Sequence, residues 1–474
     1  MAEQLEYGNR TMQIEPFGIE HIPQKERHGT PRRLFTLWFA SNVTIGSYVV
    51  GYLAVSVFGL PLAYALIALL VANVVAGILL GLASSLGPVF GYPQMVITRL
   101  SFGRRGGYLP AALQWMSSIG WFTVNAVLGS FALNELTGIG YIPSAAILLA
   151  AMILIGLYGH NFIHQFEKLM AVVLGAFFLI ATAVIIYHMP LIDHYSPSTP
   201  VTAGGFVPSM ILLAGSALSY LMSWGPYASD YSRYLRDNTP IRKSFLNTFL
   251  GGTIASFWFE AIGALVAAYV YGNLSGAASV SVTRSIYIVL GFLGSAGLGA
   301  IVLGTLSANA LNIYTSALSL LVLDIRVKRW VAVVAAGIVG AVLTLAVAGT
   351  FVSFYEGFLL LLDYWVTPWL AIILIDFFVF RKRDFRQVAG APAFRPSALL
   401  SYFVGLGASI PFISWSYSTL QYTGIISSRY LGGADISYYI ALVVTSVLYI
   451  TFQKWPVSGR KLHSPGKDAA AEKN

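Results

Sequence analysis

The sequence contains no cysteine among its 474 residues, so disulfide bonds, cysteine-ligated zinc sites and thiol catalysis are excluded. Charge is also scarce, because only 10% of the residues are charged against roughly 25% in soluble domains, whereas 57% are hydrophobic. This balance predicts a chain that crosses a membrane many times. Residues 1–30 are polar and lack the apolar core of a cleavable signal peptide, so we expect the first membrane helix to direct insertion.

Windows of about 20 apolar residues predict twelve membrane-spanning helices and therefore an all-α integral membrane protein. The predicted spans lie near 34–58, 62–87, 109–134, 142–160, 166–188, 205–225, 246–272, 286–322, 330–349, 353–380, 397–418 and 437–453. Residues 1–33 and 454–474 are then an N-terminal and a C-terminal tail.

The basic residues indicate how this arrangement is oriented. All but two of the 28 lysines and arginines fall on the same side of it as the two tails, the exceptions being Arg284 and Arg429. Because lysine and arginine concentrate in cytoplasmic loops, both tails are predicted to be cytoplasmic in a chain that spans the cytoplasmic membrane. The net charge of +9 is explained in this way without a nucleic-acid partner, and the lipid bilayer is the expected surrounding.

Two of the predicted spans contain residues that interrupt a helix. The first carries the polar run Ser41, Asn42 and Thr44, and in the sixth Gly225 and Pro226 follow an apolar stretch. Unpaired backbone groups in lipid cost on the order of several kcal/mol each, so such breaks persist where protein or a ligand cavity surrounds them. The alternatives are that the sixth helix simply ends before a loop and that small residues serve close helix packing.

The two breaks lie five helices apart, an odd spacing that gives the segments around them opposite orientations. Discontinuous helices at equivalent places are typical of transporters built from two inverted repeats. We therefore expect a first five-helix repeat at 34–188, a second at 205–380, and two accessory helices at 397–453.

The third predicted span contains a pair of residues suited to a planar ligand. Trp121 and Asn125 are four residues apart and share one helix face. An indole can stack on a flat ring, and an amide offers both a donor and an acceptor to the edge of a nitrogen heterocycle. The alternative is that the tryptophan belongs to an interfacial belt and the asparagine joins helices.

The eighth span carries polar residues at a depth that should be apolar. Asn309 and Asn312 are three apart and can face one cavity, and Ser307 can lend a hydroxyl to Na⁺ beside carbonyls freed by the broken first helix. Glu260 is the acid predicted to lie deepest in the membrane, where a carboxylate is costly enough to indicate a function such as carrying a coupling proton.

The sequence contains little that would indicate an enzyme. His160 and His164 have the i, i+4 spacing of metal ligands, but a third ligand is missing, so no metal site is predicted. The sequence has neither a nucleophile–base arrangement nor a phosphate loop, and we therefore predict a protein that is not an enzyme and needs no cofactor. A channel is the remaining alternative.

Several motifs occur together and in order along residues 18–380. They are GIEHIPQKER before the first helix, WFASNVTIG within it, TRLSFGRRGGYLPA after the second, GWFTVN in the third, SWGPYASDYSRYL in the sixth, SANALNIYTSALSL in the eighth and GFLLLLDYWVTPWLAIILIDFF in the tenth. With these motifs the chain resembles the nucleobase-cation symporter-1 family, within it the purine-cytosine permease branch. The resemblance implies a secondary transporter of the leucine-transporter type that imports a nucleobase such as cytosine or a purine with H⁺ or Na⁺. Other implied cargoes are allantoin, hydantoin, uracil or a vitamin.

The resemblance also implies roles for individual residues. Trp121 matches the family's stacking tryptophan, Asn125 its ligand-reading amide, and Asn309 and Asn312 its substrate-facing positions in the eighth helix. The unwound part of the first helix is matched by Ser41, Asn42 and Thr44, the last a candidate for cation coupling together with Ser307 and Glu260.

Two positions depart from the family pattern. Leu221 stands where the family often has a second aromatic wall, which Tyr220 or Trp224 would then supply. Ser307 is followed by Ala308, whereas sodium-coupled members have two adjacent hydroxyl residues, and this difference together with Glu260 favours protons.

Overall fold

The computed structural model of the protein describes residues 15–158, 160–192, 195–197, 204–325, 327–381, 390–417 and 419–454. Within these residues seven helices are long and apolar enough to cross a membrane, or eight if a bent pair near the N-terminus forms one span. One of the seven, 329–380, contains two helices in sequence, and two shorter apolar helices occur at Tyr141–Leu157 and Pro396–Phe412. The chain is thus a helical multi-pass membrane protein, while the number of twelve spans stays a prediction.

The elements are labelled in chain order. The first half contains α1 Arg32–Asn42, α2 Ile45–Ser56, α3 Leu62–Ser84, α4 Leu86–Phe90, α5 Gln94–Ile97, α6 Arg99–Phe102, α7 Tyr108–Thr137, α8 Tyr141–Leu157, α9 His160–Tyr187 and α10 Met189–Ile192. The second half contains α11 Phe206–Met222, α12 Ala228–Ser232, α13 Ile241–Asn273, α14 Val282–Leu290, α15 Gly294–Val322, α16 Arg329–Val347, α17 Phe351–Ile375, α18 Pro396–Ser409, β1 Ser414–Tyr417, β2 Leu420–Thr423, α19 Ile425–Tyr430 and α20 Ser437–Lys454.

The break predicted in the first span is confirmed. Helix α1 ends at Asn42, α2 begins at Ile45, and the two axes differ by 52°. Thr44 between them is extended, with φ −135° and ψ 160°. The predicted sixth-helix break is milder, since α11 passes through a 3₁₀ turn at Gly225–Tyr227 into α12.

Most long helices pack into two groups. The first packing group consists of α1, α2, α3, α11, α12 and α13, and the second of α7, α8, α15 and α16, each in extensive contact within its own group. Close packing inside the first group depends on glycine, because a Cβ on Gly51 of α2 would lie 1.7 Å from the carbonyl oxygen of Glu260 on α13. Helix α9 contacts both groups, through α1 and through α15, and so lies at their boundary.

Two predicted spans differ from the observed elements. The predicted 286–322 helix is interrupted at Gly291, which has φ 56°, and the second part begins at Gly294. The predicted 397–418 helix ends early and is followed by an antiparallel hairpin in which Ser414 pairs with Thr423. The all-α prediction is wrong there. Alternating residues suit a strand, and the hairpin packs on α17 through a 2.9 Å hydrogen bond from Trp415 Nε1 to the Gly357 carbonyl.

The described part of the predicted N-terminal tail packs against the helices. Glu15 is buried and forms a 3.0 Å ion pair with Arg233, which follows α12. The same carboxylate accepts hydrogen bonds from Tyr234 at 2.5 Å and Tyr314 at 3.0 Å. Breaking a buried pair of this kind costs about 3–5 kcal/mol, so residues from 15 onward belong to the folded bundle. Residues 1–14 of this tail, and all of the C-terminal tail except Lys454, lie outside the described residues.

Candidate functional site

The interruption between α1 and α2 is held by side chains that form hydrogen bonds with the backbone around it. Ser47 Oγ donates to the Asn42 carbonyl at 2.6 Å, and Tyr355 Oη of α17 donates to the Gly46 carbonyl at 2.9 Å. Asn42 Nδ2 turns back to the Trp38 carbonyl at 2.7 Å. The polar run therefore satisfies a broken backbone inside the bundle, as the cost of unpaired peptide groups requires.

The interruption after α11 lies directly against the first one. Tyr220 Oη is 2.7 Å from Ser47 Oγ and 3.2 Å from Thr44 Oγ1. Trp224 Nε1 donates to Asn42 Oδ1 at 3.1 Å. The two predicted breaks are thus joined by hydrogen bonds, and Tyr220 and Trp224 both contact the first.

A second polar cluster connects α7 to α15 through three amides. Asn309 Oδ1 accepts from Asn125 Nδ2 at 3.2 Å and from Asn312 Nδ2 at 2.9 Å. Asn309 Nδ2 donates to the Phe122 carbonyl at 2.9 Å. Tyr227, from the 3₁₀ turn after α11, donates to Asn312 Oδ1 at 3.0 Å. This amide cluster, defined as Asn125, Asn309 and Asn312, is fully or almost fully buried.

Trp121 lies between the two polar clusters and is only 4% exposed. Its ring centroid is 5.4 Å from that of Tyr220, 5.3 Å from that of Phe358 and 6.2 Å from that of Tyr355, with interplanar angles between 73° and 88°. Gly120 makes room for this packing, since a Cβ there would lie 2.3 Å from Phe358. The indole is therefore surrounded by rings set across it rather than parallel to it.

The residues predicted to couple a cation are not all brought together. Thr44 lies at the break, and Ser307 on α15 donates to Glu167 Oε1 on α9 at 2.7 Å. Glu260 instead accepts a hydrogen bond from Asn73 of α3, inside the first packing group. Ser41 is turned toward its own helix, where its hydroxyl donates to the Leu37 carbonyl at 2.9 Å.

A family model described as a permease for cytosine/purines, uracil, thiamine, allantoin matches residues 21–441. The chain belongs to this permease family. Two relatives are similar over nearly the whole permease: the putative purine-cytosine permease YxlA of Bacillus subtilis, at 29% identity over 94% of this chain and 96% of the relative, and the purine-cytosine permease fcyB of Emericella nidulans, at 26% identity over 94% and 89%.

Solved structures show the same fold. Mhp1, a nucleobase-cation-symport-1 family transporter solved in a closed conformation with bromovinylhydantoin bound, aligns with a TM-score of 0.73 at 20% identity over 93% of the permease and 95% of Mhp1. A Na⁺-coupled sialic acid symporter aligns with a TM-score of 0.54 at 14% identity, over 91% and 97%. The permease is thus a multi-pass transporter of the nucleobase-cation symporter family and not an enzyme.

Leu221 lies away from both polar clusters of the permease. Its side chain approaches α13, where a Cβ on Gly252 would lie 3.1 Å from Leu221 Cδ1 and 3.3 Å from Leu80. Of the aromatic residues predicted to replace it, Tyr220 stands beside Trp121, whereas Trp224 packs against Trp38, with 5.6 Å between ring centroids.

The two histidines of the predicted pair lie next to each other in the permease. The ring centroids of His160 and His164 are 4.3 Å apart, and His160 stacks on Tyr234 at 4.0 Å. Among the residues that the structure describes, no group of three histidine, aspartate or glutamate side chains could hold a metal ion.

Three residues at or near this site were not predicted from the sequence. Tyr227 completes the amide cluster, Tyr355 holds the first break, and Glu167 is the partner of Ser307. Tyr227 follows the Gly-Pro pair, which was a usable signal because residues at a helix break face the cavity that the break lines. Glu167 stands next to Lys168, which made this stretch resemble a solvated helix end.

Proposed function

We propose that this permease is a secondary active transporter that imports a nucleobase, such as cytosine or a purine, or a related planar heterocycle, by symport with H⁺ or Na⁺. The observation that carries the proposal is the position of Trp121 between the amide cluster and the two helix interruptions. The names of its relatives, purine-cytosine permeases, point to the same substrates.

Recognition of the ring rests on Trp121. The three aromatic neighbours of the indole meet it at 73° to 88°, so a ligand ring lying parallel to it would add a stacked contact that these neighbours do not make. Stacking of a base on an aromatic side chain contributes about 1–3 kcal/mol. A flat ring is therefore favoured over a saturated one.

Recognition of the ring's edge rests on the amide cluster. Asn125 lies one helical turn from Trp121, and its Nδ2 also bonds to the Trp121 carbonyl at 3.0 Å. An amide supplies one donor and one acceptor side by side, which is the pattern that the edge of a nucleobase presents. Rotation of Asn125 away from Asn309 would exchange their 3.2 Å hydrogen bond for one to the ligand.

Movement of the substrate is supported by the two helix interruptions. Helices α1 and α11 both belong to the first packing group, while Asn125 and Asn309 belong to the second. A ligand held between the groups is exposed to one side or the other when one group rocks against the other, as in transporters with alternating access. Thr44, Ser307 and Glu260 remain the groups proposed from the sequence for the coupling cation.

The decisive experiment is uptake by the purified full chain in proteoliposomes. We expect at least one of labelled cytosine, adenine, hypoxanthine, uracil and allantoin to accumulate above its outside concentration when an inward pH or Na⁺ gradient is imposed, and the accumulation to collapse when an ionophore removes the gradient. Equilibration without accumulation would indicate a channel. Absence of uptake and of competition by any planar heterocycle would refute the proposal.

A matched pair of variants tests the amide cluster. Asn125→Ala should raise KM by about 10-fold, because one hydrogen bond to a buried polar group is worth about 1–3 kcal/mol when its partner is left unsatisfied. Asn247→Ala removes a half-buried residue of α13 whose amide donates to the Lys243 carbonyl at 2.8 Å, and it should leave KM unchanged. Equal KM values in the two variants would exclude Asn125 from substrate binding.

A further inference from the structure

Glu167 is a buried carboxyl group that the proposed substrate site does not use. It lies on α9 with 0% exposure, and its Oε1 accepts the 2.7 Å hydrogen bond from Ser307. Its Oε2 is buried and has no hydrogen-bond partner among the described residues. Inside a membrane bundle, the charged form of a carboxyl group with only one hydrogen-bonded oxygen has a high free energy. Carboxyl groups in such positions mark proton or ion pathways.

The helix that carries this carboxyl group, α9, lies at the boundary of the two packing groups and close to the interruption between α1 and α2. Helix α9 packs on α1 of the first group and on α15 of the second. One turn before Ser307, a Cβ on Gly304 would lie 3.3 Å from the carbonyl oxygen of Val43 and 3.8 Å from Thr44 Cα. The contact between Ser307 and Glu167 is therefore adjacent to the α1–α2 interruption.

Glu167 and Glu260 differ in the packing groups that their helices contact. The hydrogen-bond donor to Glu260 is Asn73, and the backbone of Glu260 is packed tightly on Gly51, so all three residues belong to the first packing group. Because its hydrogen-bond donor and this backbone contact lie in one packing group, Glu260 keeps both contacts when the groups move against each other. Glu167 instead lies on α9, which packs on helices of both groups, so its surroundings change when the groups move.

A cavity of about 250 Å³ lies at the end of the bundle where α1 and α9 begin, and its lining includes Lys168, the residue that follows Glu167. It is lined from α1 by Arg32, Arg33 and Thr36, and from α9 by His164 and Lys168. The charged or titratable side chains in this lining are Arg32, Arg33, His164 and Lys168. The residue facing it from α15 is the neutral Ser307, and α13 meets α9 farther along, where Trp258 donates to Thr182 at 3.0 Å.

We propose that Glu167 carries the coupling proton of this transporter. The proton binds to the carboxylate to form the neutral acid when the site opens to one side, and it leaves as the carboxylate re-forms when the site opens to the other. Ser307 acts as a positioning residue, because its hydroxyl donates to the carboxylate. The inference rests on the proposed function, since it names the ion and the group used in the same symport.

The test compares net accumulation with exchange in proteoliposomes that contain the full chain. With one proton per substrate, an inward gradient of one pH unit supports about tenfold accumulation by the unaltered protein. Glu167→Gln keeps the shape and an acceptor for Ser307 but cannot bind the proton. We expect its pH-driven accumulation to disappear while exchange of labelled for unlabelled substrate continues within about twofold, because exchange needs no net proton movement.

Two further variants make the comparison specific. Glu356→Gln removes a partly buried carboxyl group of α17 that lines a separate cavity beside the hairpin, and it should leave tenfold accumulation intact. Ser307→Ala should shift the pH midpoint of uptake upward by about one unit, because the hydrogen bond that favours the carboxylate is lost. This shift gives a second readout if Glu167→Gln does not fold.

The outcomes separate the two proposals. If the unaltered protein exchanges none of the heterocycles, both the proposed function and this inference are refuted. If the unaltered protein shows pH-driven accumulation and Glu167→Gln retains it, only the inference fails. Loss of pH-driven accumulation in Glu260→Gln but not in Glu167→Gln, or accumulation driven by Na⁺ alone, would equally overturn the role of Glu167.

Discussion

Replacing Trp121 with leucine removes the proposed stacking surface and keeps a large apolar side chain. Loss of about 1–3 kcal/mol of stacking corresponds to a dissociation constant that is about 5- to 150-fold higher. We expect this change in the binding of whichever heterocycle the uptake assay identifies, measured on purified protein in detergent by isothermal titration calorimetry.

The same substitution has a structural cost that must be separated from binding. Trp121 makes three edge-to-face ring contacts, and each is worth about 0.5–1.5 kcal/mol, so up to about 1.5–4.5 kcal/mol of stability depends on them. Trp121→Phe keeps an aromatic face and serves as the matched control. It should retain most of the affinity while losing part of the stability.

Thermal unfolding of both variants identifies which effect operates. We expect Trp121→Leu to bind the substrate far more weakly than Trp121→Phe at a temperature where both are folded. A folded Trp121→Leu protein with unaltered affinity would refute the stacking role. Equal losses in the two variants would show that packing around the indole, and not the aromatic face, controls binding.

Two further predictions concern stability. Although partial burial acts in the opposite direction, the hydrogen bond from Tyr108 and two neighbouring arginines hold the pKa of Asp324 below its ordinary value. This contribution is therefore present at neutral pH and is lost as the pH falls below about 4, and Asp324→Asn should flatten the acid limb of a plot of Tm against pH. Gly51→Ala should abolish the monodisperse peak in size-exclusion chromatography because its Cβ would lie 1.7 Å from the Glu260 carbonyl oxygen. Gly299→Ala should elute normally, because its Cβ would meet no side chain or neighbouring helix within 4 Å among the described residues. An unchanged acid limb, or a normal Gly51→Ala profile, would contradict the respective argument.

The interruption of the first helix could be predicted because its cause is local. Three polar residues within four positions, 41 to 44, compete with the helix and have no place in lipid unless they face protein. The shared face of Trp121 and Asn125 was equally local, because it follows from helical periodicity alone. Their neighbours could not be predicted in this way, because Asn309 lies 184 residues from Asn125 in the chain.

The direction of each side chain on α11 could not be predicted. Successive helical residues differ by about 100°, so the rotation of α11 about its axis, which packing sets, decides whether Tyr220 or Leu221 faces Trp121. The same difficulty concealed Glu167, whose burial depends on the contact of α9 with both packing groups. Tertiary packing alone determines that Glu167 meets Ser307 while Lys168, the next residue, lines a cavity.

The hairpin was missed for a different reason. Residues 414–417 are Ser-Trp-Ser-Tyr, an alternation that indicates a strand, but a window of about 20 residues averages it with the apolar helix before it. The strand is specified by partners outside that window. The backbone N–H of Ser414 donates to Asp435 at 2.8 Å, and Trp415 bonds to α17.

The proposed recognition depends above all on selection of a flat ring that stacks on Trp121. Competition against uptake of the labelled substrate by matched pairs of compounds, a planar pyrimidine and its ring-saturated dihydro counterpart with the same hydrogen-bonding groups, tests it most directly. We expect the planar member to inhibit at least about tenfold more strongly, and Trp121→Leu to remove the difference. Equal inhibition by the two members of each pair in the unaltered protein would contradict it.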